Sequence, residues 1–137
     1  MAFTRIPLPK DTSKLRNGDT TEKIIGAAIE VHRRLGAGLL ESVYEECFCH
    51  ELTLRSIPYV RQKPLRVDYK GLKIDCAYRP DLLVDDTVIV ELKAADQNSP
   101  VFEAQLLTYL KLSGKRVGLV INFGVPVLKD GIIRRVN

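Results

Sequence analysis

The residues best suited to chemistry are Asp81, Glu91 and Lys93. Glu91 and Lys93 close the stretch "TVIVELKAAD" (Thr87 to Asp96), whose first four residues favour a strand with little polar face, buried inside a sheet. Side chains alternate along a strand, so Glu91 and Lys93 share one face and Leu92 points the other way. Asp81 stands ten residues before Glu91, near the end of the preceding strand. If the two strands form a hairpin, the turn decides whether these carboxylates meet. A two-residue loop of Asp85 and Asp86 pairs Asp81 with Val90 and turns it away from Glu91; a three-residue loop, or one bulge, pairs it with Glu91. Acids that act together here require that irregularity.

Adjacent carboxylates repel and raise one another's pKa, so they call for a cation. Lys93 offers one. A divalent metal offers another: Mg²⁺ prefers hard oxygen ligands and takes one or two protein carboxylates while keeping several waters. A metal so held polarises a phosphate and lowers the pKa of bound water, while a nearby ammonium orients the nucleophile or neutralises developing charge. That is equipment for phosphodiester hydrolysis. The plainer alternative is a structural ion pair at a strand end.

A chain of 137 residues, 45% apolar and 28% charged, fits one globular domain. An excess of 21 basic over 17 acidic residues favours polyanionic partners without naming one. Cys47, Cys49 and Cys76 form no CxxC pair and follow no secretory leader, so reduced core fillers are expected rather than disulfides or a zinc site. No apolar run approaches the roughly 18 residues of a membrane span. A cytoplasmic, non-membrane protein is the expectation.

The elements that must position these residues follow from punctuation and period. Residues 1–18, with two prolines and a glycine, read as an extended or flexible arm, and 19–137 as the single domain. Asp19 and Glu22 resemble a helix start, and Ile24, Ala28, Val31 and Leu35 form an apolar stripe that "LGAG" ends. A second helix is expected over Leu39 to Arg55, with Leu40, Val43, Tyr44, Cys47, Phe48 and Leu52 on a broad apolar face. From Pro58 the period becomes two. Leu65, Val67 and Tyr69, then Leu72, Ile74, Cys76 and Tyr78, read as a hairpin whose second strand runs on through "RPDLLV", giving a three-stranded meander with the opening strand. Ser99, Pro100 and Gly114 bracket a third helix. "RVGLVINFG" reads as a buried strand parallel to the opening one, and "IIRRV" as an edge strand. The class is α/β, a mixed sheet flanked by helices.

At these residues the chain resembles the PD-(D/E)XK nuclease superfamily: Pro80 and Asp81 are followed after nine residues by "ELK", Glu91 to Lys93. "GAGLLESVY" carries Gly38, Glu41 and Tyr44 in the spacing of the small prokaryotic GxxExxY family, which is classed with that superfamily. "QLLTY", Gln105 to Tyr109, is similar to the QxxxY signature of RecB-type nucleases, with both residues on one helical face. The resemblance implies an α-β-β-β-α-β core preceded by an extra N-terminal helix. It implies Asp81 and Glu91 as metal ligands, helped by the Leu92 carbonyl and by Glu41 directly or through water. It further implies Lys93 as the catalytic lysine, with Gln105 and Tyr109 lining the site.

The expected function is therefore a Mg²⁺- or Mn²⁺-dependent nuclease acting on DNA or RNA. One rival is a non-catalytic module that binds nucleic acid or protein on the same fold. Another is a structural homodimer in which the charged cluster is only an ion-pair network. His32 and His50 match no zinc spacing. Arg33 with Arg34, Lys115 with Arg116, and Arg134 with Arg135 read as solvated faces, becoming phosphate contacts if the fold gathers them beside the acids.

Overall fold

The computed structural model describes residues 12–137, so residues 1–11 of the expected arm lie outside the described residues. In chain order the elements are α1 (Thr12–Leu35), α2 (Glu41–Leu54), β1 (Tyr59–Arg61), β2 (Leu65–Tyr69), β3 (Leu72–Tyr78), β4 (Leu82–Val84), β5 (Val88–Lys93), α3 (Pro100–Ser113), β6 (Val117–Asn122), a 3-10 turn (Leu128–Gly131) and β7 (Ile132–Val136). Five strands form one mixed sheet in the order β1-β4-β5-β6-β7, with β5 at its centre. β5 and β6 run parallel, and the other neighbours are antiparallel. The expected α/β class and the parallel pairing joined through α3 are both present.

Alternation along the buried strands builds two cores. Val88, Val90 and Leu92 of β5, with Leu119 and Ile121 of β6, pack against Ile24, Ala27, Ala28 and Val31 of α1 and Tyr44, Phe48 and Leu52 of α2. On the opposite face Ile89, Val120 and Leu83 meet Leu106, Tyr109 and Leu110 of α3. The result is three layers, two helices and one helix on either side of a sheet buried on both faces. α3 starts as its sequence dictates: Ser99 Oγ accepts from Val101 N–H at 3.3 Å and Pro100 occupies the first turn.

Four local expectations are corrected. α1 begins at Thr12, upstream of Asp19, whose carboxylate lies within the helix as an i,i+4 partner of Lys23 at 3.7 Å. In α2 the buried stripe is Tyr44, Phe48, Cys49 and Leu52; Leu40 precedes the helix and is 72% exposed, and Val43 faces outward, because only one side of α2 meets α1 and the sheet. The strand from Leu72 does not continue through "RPDLLV". It stops at Tyr78, where Pro80 lacks a ladder N–H and restricts Arg79 before it, so β4 is a separate strand. The hairpin β2–β3 consequently forms its own two-stranded sheet, anchored by the buried Leu65, while Tyr69 and Leu72 at its tip are 61% and 59% exposed. The place beside β4 is taken by β1, which the sequence reading did not anticipate.

The turn between β4 and β5 sets the site. Asp85, Asp86 and Thr87 make a three-residue loop, with Thr87 N–H donating to the Val84 carbonyl at 3.0 Å. Asp85 and Asp86 hold φ of 53° and 55°, a region that aspartate tolerates better than most side chains. The resulting register, Val84 with Val88, Leu83 with Ile89 and Leu82 with Val90, carries on to set Asp81 across from Glu91. This is the irregularity that the spacing required. Deleting Asp86 shortens the loop by one residue and turns one strand over. The deletion is expected to abolish the cooperative urea transition, whereas Asp86→Asn is expected to stay within about 1 kcal/mol of the parent.

Candidate active site

The candidate site lies where β5 ends and β4 begins, at the carboxyl end of the parallel pair, where α/β sheets commonly bind ligands. Asp81 and Glu91 clasp each other through the backbone. Leu92 N–H donates to Asp81 Oδ2 at 2.8 Å, and Asp81 N–H donates to Glu91 Oε1 at 2.7 Å. On the other flank Gln62 N–H donates to the Asp81 carbonyl at 3.1 Å, and its Nε2 reaches Asp81 Oδ1 at 3.4 Å. Leu92 thus serves the pair with its N–H while its side chain is fully buried on the α1–α2 face.

Lys93 is on the same strand face as Glu91 but is not its ion-pair partner. Its Nζ donates to Gln105 Oε1 at 2.9 Å and lies 5.1 Å from the centroid of the Phe102 ring. Gln105 Nε2 in turn donates to the Tyr109 hydroxyl at 3.0 Å, and Tyr78 meets the Tyr109 ring edge-on. The spacing of four along α3 therefore makes Gln105 and Tyr109 a relay that holds the lysine. Among the described residues no salt bridge links Lys93 to Asp81 or Glu91, so the ion-pair network of the homodimer reading lacks its central pair.

Glu41 opens α2 from the opposite face of the sheet, and the loop before it is pinned. Tyr44 donates its hydroxyl proton to the Gly36 carbonyl at 2.5 Å and accepts from Leu39 N–H at 3.2 Å, while its ring stacks on Phe123 at 4.8 Å. Gly38, at φ 103°, lets the chain make that bend. This gives the Gly38, Glu41, Tyr44 spacing a physical meaning: the tyrosine and the glycine fix the loop that delivers the glutamate. His32 Nε2 donates to the Val125 carbonyl at 2.9 Å, a structural tie rather than a metal ligand.

The electrostatics follow from burial. Glu91 is only 4% exposed, and burial first, then the charge of Asp81, pushes its carboxyl up to about 8. Burial also raises Asp81, opposed by the N–H of Leu92. Glu41 is raised by burial and then by Asp81, while Lys93 lowers it, which puts it in the same field. Tyr109 is raised by burial and by Glu91.

Two adjacent carboxylates, both disfavoured as anions and without a bound ammonium, are a hard-oxygen donor set that a divalent cation would relieve. Among the described residues no group of three or more His, Cys, Asp or Glu side chains is placed to hold a metal ion, so the clasp offers two protein carboxylates and no more.

The basic pairs are engaged with acids of their own: Arg33 and Arg34 both bind Glu30, Lys115 holds Asp86 at the far end of β5, and Arg135 binds Glu103. Two contributors went unread in the sequence. Phe102, three residues before Gln105, shares its helical face and could have been found. Gln62 follows a strand that the pattern did not announce.

The raised Glu91 carboxyl has a sign. Relative to the unfolded chain, where it ionises near 4.5, the fold favours the protonated acid; that contribution is complete below 4.5 and is lost as pH rises to about 8. In chelator, the stability of the parent protein is expected to fall relative to Glu91→Gln over this window and to run parallel above it. Urea midpoints at intervals of pH read the difference.

A family model described as the PD-(D/E)XK nuclease superfamily matches residues 18–136. Comparison with curated proteins and with solved structures gave no match. No helix among the described residues is long and apolar enough to cross a membrane. The match takes in the whole sheet, α2, α3, most of α1 and the clasped acids with their lysine, and the chain belongs to the PD-(D/E)XK nuclease superfamily.

Proposed function

We propose that the protein is a Mg²⁺- or Mn²⁺-dependent phosphodiester hydrolase acting on nucleic acid, and that within its superfamily it is of the GxxExxY type. The observation that carries this reading is the Asp81–Glu91 clasp, a half-buried and a buried carboxylate with Lys93 next on the same strand face as Glu91. Asp81 and Glu91 would hold the ion, with the Leu92 carbonyl as a further oxygen donor and Glu41 reaching it directly or through water. When bound, the ion supplies charge stabilisation at phosphate and a lowered pKa of water.

The rest falls to the chain itself. Lys93 carries three donors, and Gln105 engages one at 2.9 Å, which leaves the others to orient an attacking water and a phosphate oxygen. Gln105 accepts from Lys93 and donates to Tyr109, so its amide is fixed at both ends and the ammonium cannot swing freely. Such preorganisation is how a positioned group lowers a barrier.

A second reading, a non-catalytic module that binds nucleic acid or protein, draws on the way Lys93 leans toward Gln105 and Phe102 rather than the acids. It expects nucleic-acid binding to survive Glu91→Ala with Lys93→Ala.

The test is cleavage of labelled single- and double-stranded DNA and RNA with Mg²⁺ or Mn²⁺. Lys93→Ala is expected to lower kcat about 10²–10⁴-fold, the usual worth of a positioned proton-handling group. Asp81→Asn is expected to remove the rise in Tm that either ion gives the parent. A parent protein whose Tm ignores both ions, and which cuts none of the substrates, rules the hydrolase out.

A further inference from the structure

Asn122 ends β6 directly beside Lys93 in the parallel register, on the α3 face of the sheet, and is fully buried. Its side-chain amide is in use at both ends. Oδ1 accepts from Ala95 N–H at 2.9 Å and from Gly124 N–H at 3.0 Å, and Nδ2 donates to Asn98 Oδ1 at 3.1 Å. Asn98 Nδ2 passes the connection on to the Asp130 carbonyl at 2.9 Å. One amide thus joins the loop leaving β5, the loop leaving β6 and the turn before β7. The junction has no slack: a Cβ on Gly124 would stand 2.3 Å from the Ala95 carbonyl oxygen, and one on Gly131 would stand 2.4 Å from that of Asn122.

We propose that Asn122 is a positioning residue of the site, holding Lys93 in contact with Gln105 by fixing the segment between Lys93 and the start of α3. That segment runs from Ala94 to Asn98, and Ser99 caps the helix immediately after it. Where Ala95 and Asn98 are anchored decides where α3 begins, and so where Phe102 and Gln105 stand over the lysine. The backbone beneath is tied as well, since Phe123 N–H donates to the Lys93 carbonyl at 2.8 Å. The requirement is for an acceptor and a donor in one planar group, which aspartate and leucine, the nearest in size, do not supply. The sequence marks "RVGLVINFG" only as a buried strand, and its asparagine gains a role from the geometry.

The kinetic arm of the test rests on the hydrolase reading; the spectroscopic arm does not. In metal-free protein, the ¹⁵Nζ resonance of Lys93, assigned by its loss in Lys93→Arg, reports whether the ammonium is hydrogen-bonded. Asn122→Ala is expected to shift or broaden it as Gln105→Ala does, and to lower kcat about 10- to 100-fold, the range found for partners one step removed from a site. Leu119→Ala, which truncates a fully buried side chain of the same strand on the opposite, α1–α2 face, is the control for lost stability. A Lys93 resonance in Asn122→Ala that matches Leu119→Ala overturns the proposal and makes Asn122 a stabilising residue only. Should Asn122→Ala fail to fold, Asn98→Ala, at an exposed position, is expected to move the resonance the same way by less; no movement overturns it. A parent protein that cuts nothing while the resonance still moves leaves the positioning role standing and removes the hydrolase.

Discussion

The arrangement depends on one energetic constraint, the withdrawal of two neighbouring carboxylates from water. Each would be an anion at neutral pH if free, and the sheet buries Glu91 and half-buries Asp81 within one backbone clasp. Burial and mutual repulsion act in the same direction, raising both. A protein can tolerate that in two ways, by keeping a proton or by attracting a cation. The nearest ammonium is diverted to Gln105. What remains is a local deficit of positive charge, held in place by hydrogen bonds that do not themselves neutralise it.

The scaffold makes that deficit rigid. β5 is central and buried on both faces, so the strand carrying Glu91 and Lys93 has little freedom to twist away. Its two faces are served by different helices: α3 brings Gln105 and Phe102 over the lysine, while α2 delivers Glu41 from the other layer through a loop tied by Tyr44. Groups from opposite layers meet only at a sheet end, which is why the site sits at the carboxyl end of β5 and not over its middle.

Much of this was legible in the sequence where local rules act alone. Strand alternation placed Glu91 and Lys93 on one face, and counting residues in the turn showed that three, not two, would bring Asp81 to Glu91. Ser99, Pro100 and Gly114 marked α3 correctly because capping is local. What escaped was decided by partners distant along the chain. Alternation in β2 and β3 announced a hairpin but not which sheet would accept it; the break at Pro80 settled that, and a three-residue strand with no strong period took the vacant edge. Leu40 and Val43 look like core in a helical projection, and they are exposed because only one side of α2 has a neighbour. The partner of Lys93 was ambiguous for the same reason: charge alone favours the acids, and the fold favours Gln105.

The charge distribution also constrains how any polyanion could approach. The chain carries a formal +4, yet Arg33, Arg34, Lys115 and Arg135 of the paired basic residues that might have formed a phosphate-binding surface are engaged with Glu30, Asp86 and Glu103. Around the clasp itself Asp81, Glu91 and Glu41 outnumber Lys93. A phosphodiester brought to that surface meets like charge wherever these acids are ionised, Glu91 only as pH rises to about 8. On the hydrolase reading, a divalent ion therefore has two inseparable duties, to relieve the buried acids and to make the surface acceptable to phosphate. Substrate affinity and ion affinity become linked, each raising the other by the same factor, as reciprocity between bound ligands requires.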